Sequence, residues 1–349
     1  MFNRIKTLGL VENLSAGLWK YLDILIPWSE IKEDWIGFDS TVIERYGIQE
    51  GSKKGYNPKK KGRPSHHPLM AFLNKNKYII QLWNRSGNAN SVNNIHNFFE
   101  ETMARIANRI SVLGILADSG FYDKNFIEML ENTNKQYIIA VRLYSTVQSK
   151  IESITNWQEI TKGIEIAEFE FEHKEWNMKR RYIVVRQSIQ ERENATGKQL
   201  TFFPDLKEYR YSVWITNSKE KAEEVWHCYK ERANDENTIK EFKEDFALGG
   251  FCLNNFYATE SAMLIRMLVY NIFVLFRFAV MGQRETRERL KTLRYKFFVV
   301  PAHFGKHGRE SLLRLSVTTE HIRQKFRQFF KNIEQHIFNC NAFENTVVN

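Results

Sequence analysis

The chain has 349 residues, 43% of them hydrophobic, with a formal net charge of +10 and an isoelectric point near 9.3. That is enough apolar mass for one large domain or two ordinary ones, and the basic balance favours a polyanionic partner. Cys228, Cys252 and Cys340 are isolated and form no CxxC pair, which argues against a disulfide framework or structural zinc and for a reducing compartment.

In chain order, LVENLSAGLWKYLDIL predicts an amphipathic helix ending near Pro27, and IGFDSTVIERYG alternates like a strand that carries Asp39. GIQEGSKKGYNPKKKGRP is a Gly/Pro/Lys turn region, and HPLMAFLNKNKYIIQLWNRSG supplies one or two strands before a helix expected to open at Asn90 or Ser91. VLGILADSG reads as a buried strand presenting Asp118 at its carboxyl end, Asp123 as the cap of the helix KNFIEMLEN, and QYIIAVR as another buried strand. From Ser145 to Tyr211 longer alternating runs predict antiparallel strands. YRYSVWITN returns to a strand, Ser218 is the expected cap of the next helix, and a second long helix covers about Ala258 to Met281. Its run LVYNIFVLFRFAV, interrupted by Arg277, is short of the ~20 apolar residues a membrane span needs and reads as a buried helix. The amino terminus has no signal-peptide pattern, so a cytoplasmic protein is expected.

Two segments hold most of the positive charge. GSKKGYNPKKKGRP carries Lys53, Lys54, Lys59, Lys60, Lys61 and Arg63 with no acid, and Arg284 to Lys331 has a net charge of +9. Both interleave cations with aromatic and turn residues, a pattern that suits phosphate contact as well as a solvated face. His303 and His307 lie four apart, but HFGKH contains glycine and lacks the glutamate of a metalloprotease helix.

The most informative stretch is WHCYKERANDENTIKEFKEDF, in which Tyr229, Arg232, Glu236 and Lys243 spell YxxRxxxExxxxxxK. On a helix they fall at roughly 0°, 300°, 340° and 320°, one face about 60° wide. A phenol, a guanidinium, a carboxylate and an ammonium on one face suit a metal ion and a phosphate chain. Ile239, Phe242 and Phe246 form a neighbouring apolar stripe that the helix can bury. With Asp39 and Asp118 on strands and Glu236 on a later helix, the order strand, strand, helix is that of an α/β, RNase-H-like mixed sheet with flanking helices and an inserted antiparallel β segment. Oxygen ligands without His or Cys favour Mg²⁺ or Mn²⁺.

The chain resembles the insertion-sequence transposases of the DDE superfamily, in the branch defined by the YREK helix signature that Tyr229, Arg232, Glu236 and Lys243 match. FDSTVIERYGIQEGSKKGYNPKKKGRPSHHPL, NRSGNANS, LADSGFYD and LRYKFFVVPAHF extend the likeness from Trp35 to the mid-300s. The resemblance implies a cut-and-paste DNA transposase, dimeric on paired transposon ends, using two Mg²⁺ ions for which Mn²⁺ can substitute. It implies Asp39, Asp118 and Glu236 as the metal-binding acids, and Tyr229, Arg232 and Lys243 as contacts to DNA phosphate near the cut. Lys59, Lys60, Lys61 and Arg63 are candidate DNA contacts from the basic loop. The implied organisation is a residual amino-terminal helical segment (1–34), a catalytic domain in two parts (35–144 and 212–283), a β-rich insertion (145–211) and a basic carboxy-terminal region (284–349). Such insertions help to hold a flipped base; Trp157, Trp176 and Trp214, in or beside it, read as core aromatics.

Only 38 residues precede Asp39, where relatives carry an end-binding domain, so the resemblance implies a chain short at its amino terminus. Two alternatives follow: a truncated, catalytically incompetent remnant that only binds DNA or a partner transposase, and a different nuclease of the same fold. No membrane is expected among its partners.

Overall fold

The computed structural model describes residues 4–347 except 59, 174, 175, 177, 201–206, 252, 283–287 and 318, with the backbone alone for 233–235 and 336–347. Lys59 and Cys252 therefore lie outside the described residues, as does the side chain of Cys340.

The chain opens with helix α1 (Leu8–Leu25), then strands β1 (Glu33–Ser40), β2 (Ile43–Glu44), β3 (Lys53–Lys54), β4 (Pro64–His66), β5 (Leu69–Leu73) and β6 (Ile79–Trp83). Helix α2 (Ile95–Ile106), strand β7 (Ser111–Ala117), helix α3 (Lys124–Asn132), strand β8 (Gln136–Ala140) and helix α4 (Ser145–Glu152) follow. Next come β9 (Gln158–Thr161), β10 (Ile164–Glu172), β11 (Lys179–Ser188), β12 (Lys198–Gln199) and β13 (Tyr209–Thr216). Helices α5 (Ala222–Glu244), α6 (Phe256–Ala279) and the short α7 (Leu290–Leu293) lead to a hairpin, β14 (Ala302–His307) and β15 (Glu310–Leu315), and to α8 (Glu320–Val347).

One large sheet has the order β6-β5-β1-β7-β8-β13-β11-β10-β9, with β12 alongside β13. The first three strands form an antiparallel meander, β7 and β8 run parallel to β1, and every later pairing is antiparallel. This is the mixed α/β sheet with flanking helices that the sequence predicts. The β-rich stretch continues that sheet through the pairing of β11 with β13.

Side chains alternate across each strand, and the alternation decides where the acids point. Phe38, Ile115, Ala117, Tyr137 and Ile139 join the main core beneath α2, α3 and α6, whereas Leu116 and Ile138 join a second cluster with Val225 and Trp226 of α5. Asp39 follows Phe38, and Asp118 keeps step with Leu116. Both carboxylates thus belong to the face covered by α5.

α6 is largely apolar and packs on α1 and β6, burying Ala262, Met263, Met267, Tyr270 and Val274. Asn271 sits buried in the middle of that face. Its amide accepts from the Ile79 N–H at 2.9 Å and donates to the Ile79 carbonyl at 2.8 Å, completing the edge of β6 from a side chain.

Three local expectations differ from the structure. Residues 145–152 form α4, anchored by buried Val147 and Ile151, instead of strand. The long helix begins at Ala222, where the Lys221 N–H bonds Glu224 Oε2 at 3.2 Å; Ser218 bonds the Glu220 N–H instead of capping it. α2 opens at Ile95, not at Asn90 or Ser91, after Asn94 takes a left-handed φ of 57°.

Candidate active site

β1 and β7 are parallel neighbours with Phe38 opposite Ala117. The next residues, Asp39 and Asp118, therefore sit side by side where two parallel strands end. The Ser40 N–H donates to Asp39 Oδ1 at 2.6 Å, and the Gly120 N–H donates to Asp118 Oδ1 at 2.8 Å. A side chain on Gly120 would come within 2.5 Å of Ser91 Oγ and 2.9 Å of Asp118 Oδ1, so the turn needs glycine to let the carboxylate fold back. Ser91 Oγ also lies 3.2 Å from Ser40 Oγ, tying the loop before α2 to the end of β1.

α5 crosses these ends and is pinned to them by the residues singled out in the sequence. Tyr229 Oη donates to the Ala117 carbonyl at 3.3 Å, and its ring packs on Trp214 at 5.3 Å. Arg232 donates to the Phe38 carbonyl at 3.3 Å and to Asp39 Oδ2 at 2.9 Å. Lys243 Nζ donates to the Val42 carbonyl at 2.7 Å and to Thr41 Oγ1 at 3.1 Å. Glu236, between them on the same face, is exposed. Burial pushes the Tyr229 hydroxyl above its ordinary range, Arg232 opposing and Asp118 and Asp39 reinforcing the shift.

The predicted face therefore exists, but Tyr229 and Arg232 grip the strands that carry the acids, and Lys243 the turn that follows β1. Ile239 and Phe242 are buried on the neighbouring stripe, as expected, and Phe246 lies just beyond the helix end against Tyr270.

A cleft of about 770 Å³ opens here, lined among others by Asp39, Asp118, Arg232, Glu236 and Lys243. The donor chemistry suits a hard divalent cation: carboxylates without thiolates, His67 being buried with its Nδ1 2.6 Å from the Ala89 carbonyl. The carboxylates share one cleft, yet among the described residues no three His, Cys, Asp or Glu side chains converge closely enough to hold one ion. Arg232 meanwhile occupies Asp39 Oδ2.

Tyr56, Asn57 and Pro58 of the basic loop line the lip of the cleft. Lys60 Nζ bonds Glu44 Oε2 at 2.9 Å and Tyr46 Oη at 3.1 Å, and Arg63 stacks on the Tyr46 ring at 4.6 Å. The Lys60 ammonium beside Glu44 draws that carboxyl below the ordinary range. Lys61 is exposed.

Sequence reasoning missed Arg142 and Lys240, two exposed cations lining the cleft, and Tyr56 at its lip. Arg142 follows β8 and anchors its Nε on the Ser119 carbonyl at 2.8 Å. Its position one residue past Val141, after a buried strand that parallels the two acid-bearing ones, was the available signal. His303 and His307 lie on exposed β14, away from these residues. Cys228 is half-buried, its thiol pushed up to about 12 by burial.

The comparison with curated proteins gives no match. Among solved structures, the chain is similar to a piggyBac transposase in a synaptic complex with hairpin DNA, at 12% sequence identity and a TM-score of 0.45. The likeness covers 76% of this chain and 51% of that one, so this chain spans about half the length of its solved neighbour. The family model for transposase DDE domain group 1 matches residues 4–337, nearly the whole chain, which therefore belongs to that family of DDE transposases.

Proposed function

We propose that this chain is a DNA transposase of the YREK branch, nicking and transferring DNA strands at insertion-sequence ends in cut-and-paste transposition. The observation that carries the reading is the pairing of Asp39 and Asp118 at adjacent parallel strand ends, with Glu236 on the wall of the same cleft. Asp39, Asp118 and Glu236 would hold divalent cations, Mg²⁺ or in its place Mn²⁺. Held there, two such ions would supply Lewis-acid activation of an attacking hydroxyl and charge neutralisation at the leaving oxygen of an in-line phosphoryl transfer.

The protein's own part is positional. Tyr229, Arg232 and Lys243 fix α5 against the strand ends, which sets the distance of Glu236 from the two aspartates. Arg142 and Lys240 offer cations to DNA phosphates inside the cleft, and Lys53, Lys54 and Lys61 offer them at its lip. The partner is double-stranded DNA, bound by a homodimer that pairs two transposon ends.

The test is Mg²⁺-dependent nicking of a plasmid carrying the inverted repeats that flank the gene. Asp118→Asn and Glu236→Gln should abolish nicking while leaving DNA binding intact. Undiminished nicking by either variant would remove that acid from the metal set. DNA binding without nicking by the unaltered chain, in Mg²⁺ and in Mn²⁺, would favour a remnant that acts only by binding DNA or a partner transposase.

A further inference from the structure

Among the described residues lining the cleft, Tyr56 carries the one exposed aromatic ring, 75% exposed. The segment that holds it is tightly constrained. A Cβ on Gly55 would overlap the Gly87 carbonyl oxygen, and one on Gly87 would overlap the carbonyls of Ser65 and Lys53. The two glycines thus let the loop lie directly on the turn after β6, and β3 pairs Lys53 with Ser65 beside it. On the other side, Asn57 is buried, with its Oδ1 accepting from the Lys60 N–H at 3.0 Å.

A phenol three-quarters exposed between two anchored neighbours buries little of its ring in the fold. It does present a flat apolar face at the edge of a cleft, in a segment whose Lys53, Lys54 and Lys61 are exposed and which has no acid between Gly51 and Pro64. Cations that follow a phosphate backbone beside an aromatic face are the elements of a single-strand binding platform.

The tryptophans of the β-rich stretch are occupied instead. Trp176 and Trp214 are buried, on Tyr122 at 4.8 Å and Tyr229 at 5.3 Å, and Trp157 is covered by Arg186 at 4.1 Å. Opening any of them to a base would break packing inside the protein; Tyr56 needs no such rearrangement.

We infer that Tyr56 is a stacking platform for an unpaired nucleobase of the DNA strand entering the cleft, a role that rests on the DNA-transposase reading above. Stacking requires the ring and not the hydroxyl.

The test uses the full chain in metal-free, low-salt buffer with two fluorescent probes: a blunt duplex, and the same duplex with a short single-stranded overhang carrying 2-aminopurine. The unaltered chain should prefer the overhang and quench the 2-aminopurine. Tyr56→Phe should do the same. Tyr56→Ala should bind the blunt duplex as before, lose about tenfold in affinity for the overhang, and leave the fluorescence unquenched. Quenching and overhang preference that survive in Tyr56→Ala, or vanish equally in Tyr56→Phe, overturn the platform while leaving the transposase reading intact. An unaltered chain that binds neither probe overturns both. Since the ring is exposed, a thermal melt of Tyr56→Ala matching the unaltered chain excludes misfolding as the cause.

Discussion

Arg232 Nη2 lies 2.9 Å from Asp39 Oδ2, and neither side chain is more than a tenth exposed. The guanidinium thus sits where a cation bound by Asp39 would need the same oxygen. Like unit charges ~4 Å apart repel by about 4 kcal/mol at an effective dielectric of ~20, so Arg232 and a bound divalent ion oppose each other. Removing the arginine charge also leaves Asp39 without its partner, which takes back part of that gain. For Arg232→Gln we expect Mn²⁺ binding to the DNA-free protein, measured by calorimetry, to tighten about tenfold. DNA should tighten Mn²⁺ binding to the unaltered chain more than to the variant, because phosphates give Arg232 another partner. Weaker Mn²⁺ binding by Arg232→Gln would mean that the arginine aligns Asp39 instead of competing for it.

The lip lysines should not contribute equally to DNA binding. Both Lys60 and Lys61 are exposed, but Lys60 is already bonded to Glu44 and Tyr46. Removing one lysine–phosphate pair lowers the slope of log affinity against log salt by about 0.9. Lys61→Ala should approach that change on any duplex sequence, and Lys60→Ala should fall well short of it. Equal slopes for the two variants would show that DNA displaces Glu44 from Lys60.

The legible parts of this fold were those whose cause is local. Alternation around Asp39, the apolar run before Asp118, the Asp123 cap, which accepts from the Phe126 N–H at 3.1 Å, and the long apolar α6 all lie within short stretches of chain. Two of the three errors, the late starts of α5 and α2, arose where an arginine captures backbone carbonyls ahead of the helix. Arg181 donates to the carbonyls of Ser218 and Glu220 at 2.7 Å each, holding that segment extended so that α5 starts late. Arg85 bonds the carbonyls of Asn90, Ser91 and Asn93, in the turns that precede α2. The grouping of Tyr229, Arg232, Glu236 and Lys243 on one face was legible from helical period alone. That Arg232 would bond an acid on β1 was not, because the contact joins segments brought together only by the sheet.

Gly120 is a sharp probe of the Asp118 turn. A methyl group there would press on Ser91 Oγ and on the Asp118 carboxylate. Rotating Ser91 would move its Oγ away from Ser40 but leave its Cβ 3.1 Å from the new methyl group, so Gly120→Ala should cost about 1–3 kcal/mol of stability, the usual range for a strained small-to-large change. Asp118 would lose its bond from the Gly120 N–H, and nicking should drop at least tenfold, by ~1.4 kcal/mol or more of activation free energy. A melt and a nicking assay on the same preparation separate the two effects; unchanged nicking would show that the carboxylate position tolerates the shift.

Glu260 supplies a pH test of the fold away from the cleft. Just after the first turn of α6, it is buried and accepts from the Asn84 N–H at 3.0 Å, tying the helix to the chain leaving β6. Burial pushes its carboxyl from 4.5 up to about 7, the Asn84 bond opposing and Glu101 reinforcing the shift. Because the folded state then holds this proton more tightly than the unfolded chain, its contribution is fully present below about 4.5 and is lost as pH rises through about 7. The loss amounts to about 3 kcal/mol across that window. Glu260→Gln keeps an oxygen for the Asn84 N–H but has no proton to lose, so urea unfolding from pH 5 to 8 should show a shallower decline than the unaltered chain. Asp34, pushed up to about 6 chiefly by burial, contributes its own decline to both proteins and cancels in the difference. Parallel pH profiles would mean that Glu260 ionises inside the fold without penalty, and that the Asn84 bond offsets its burial.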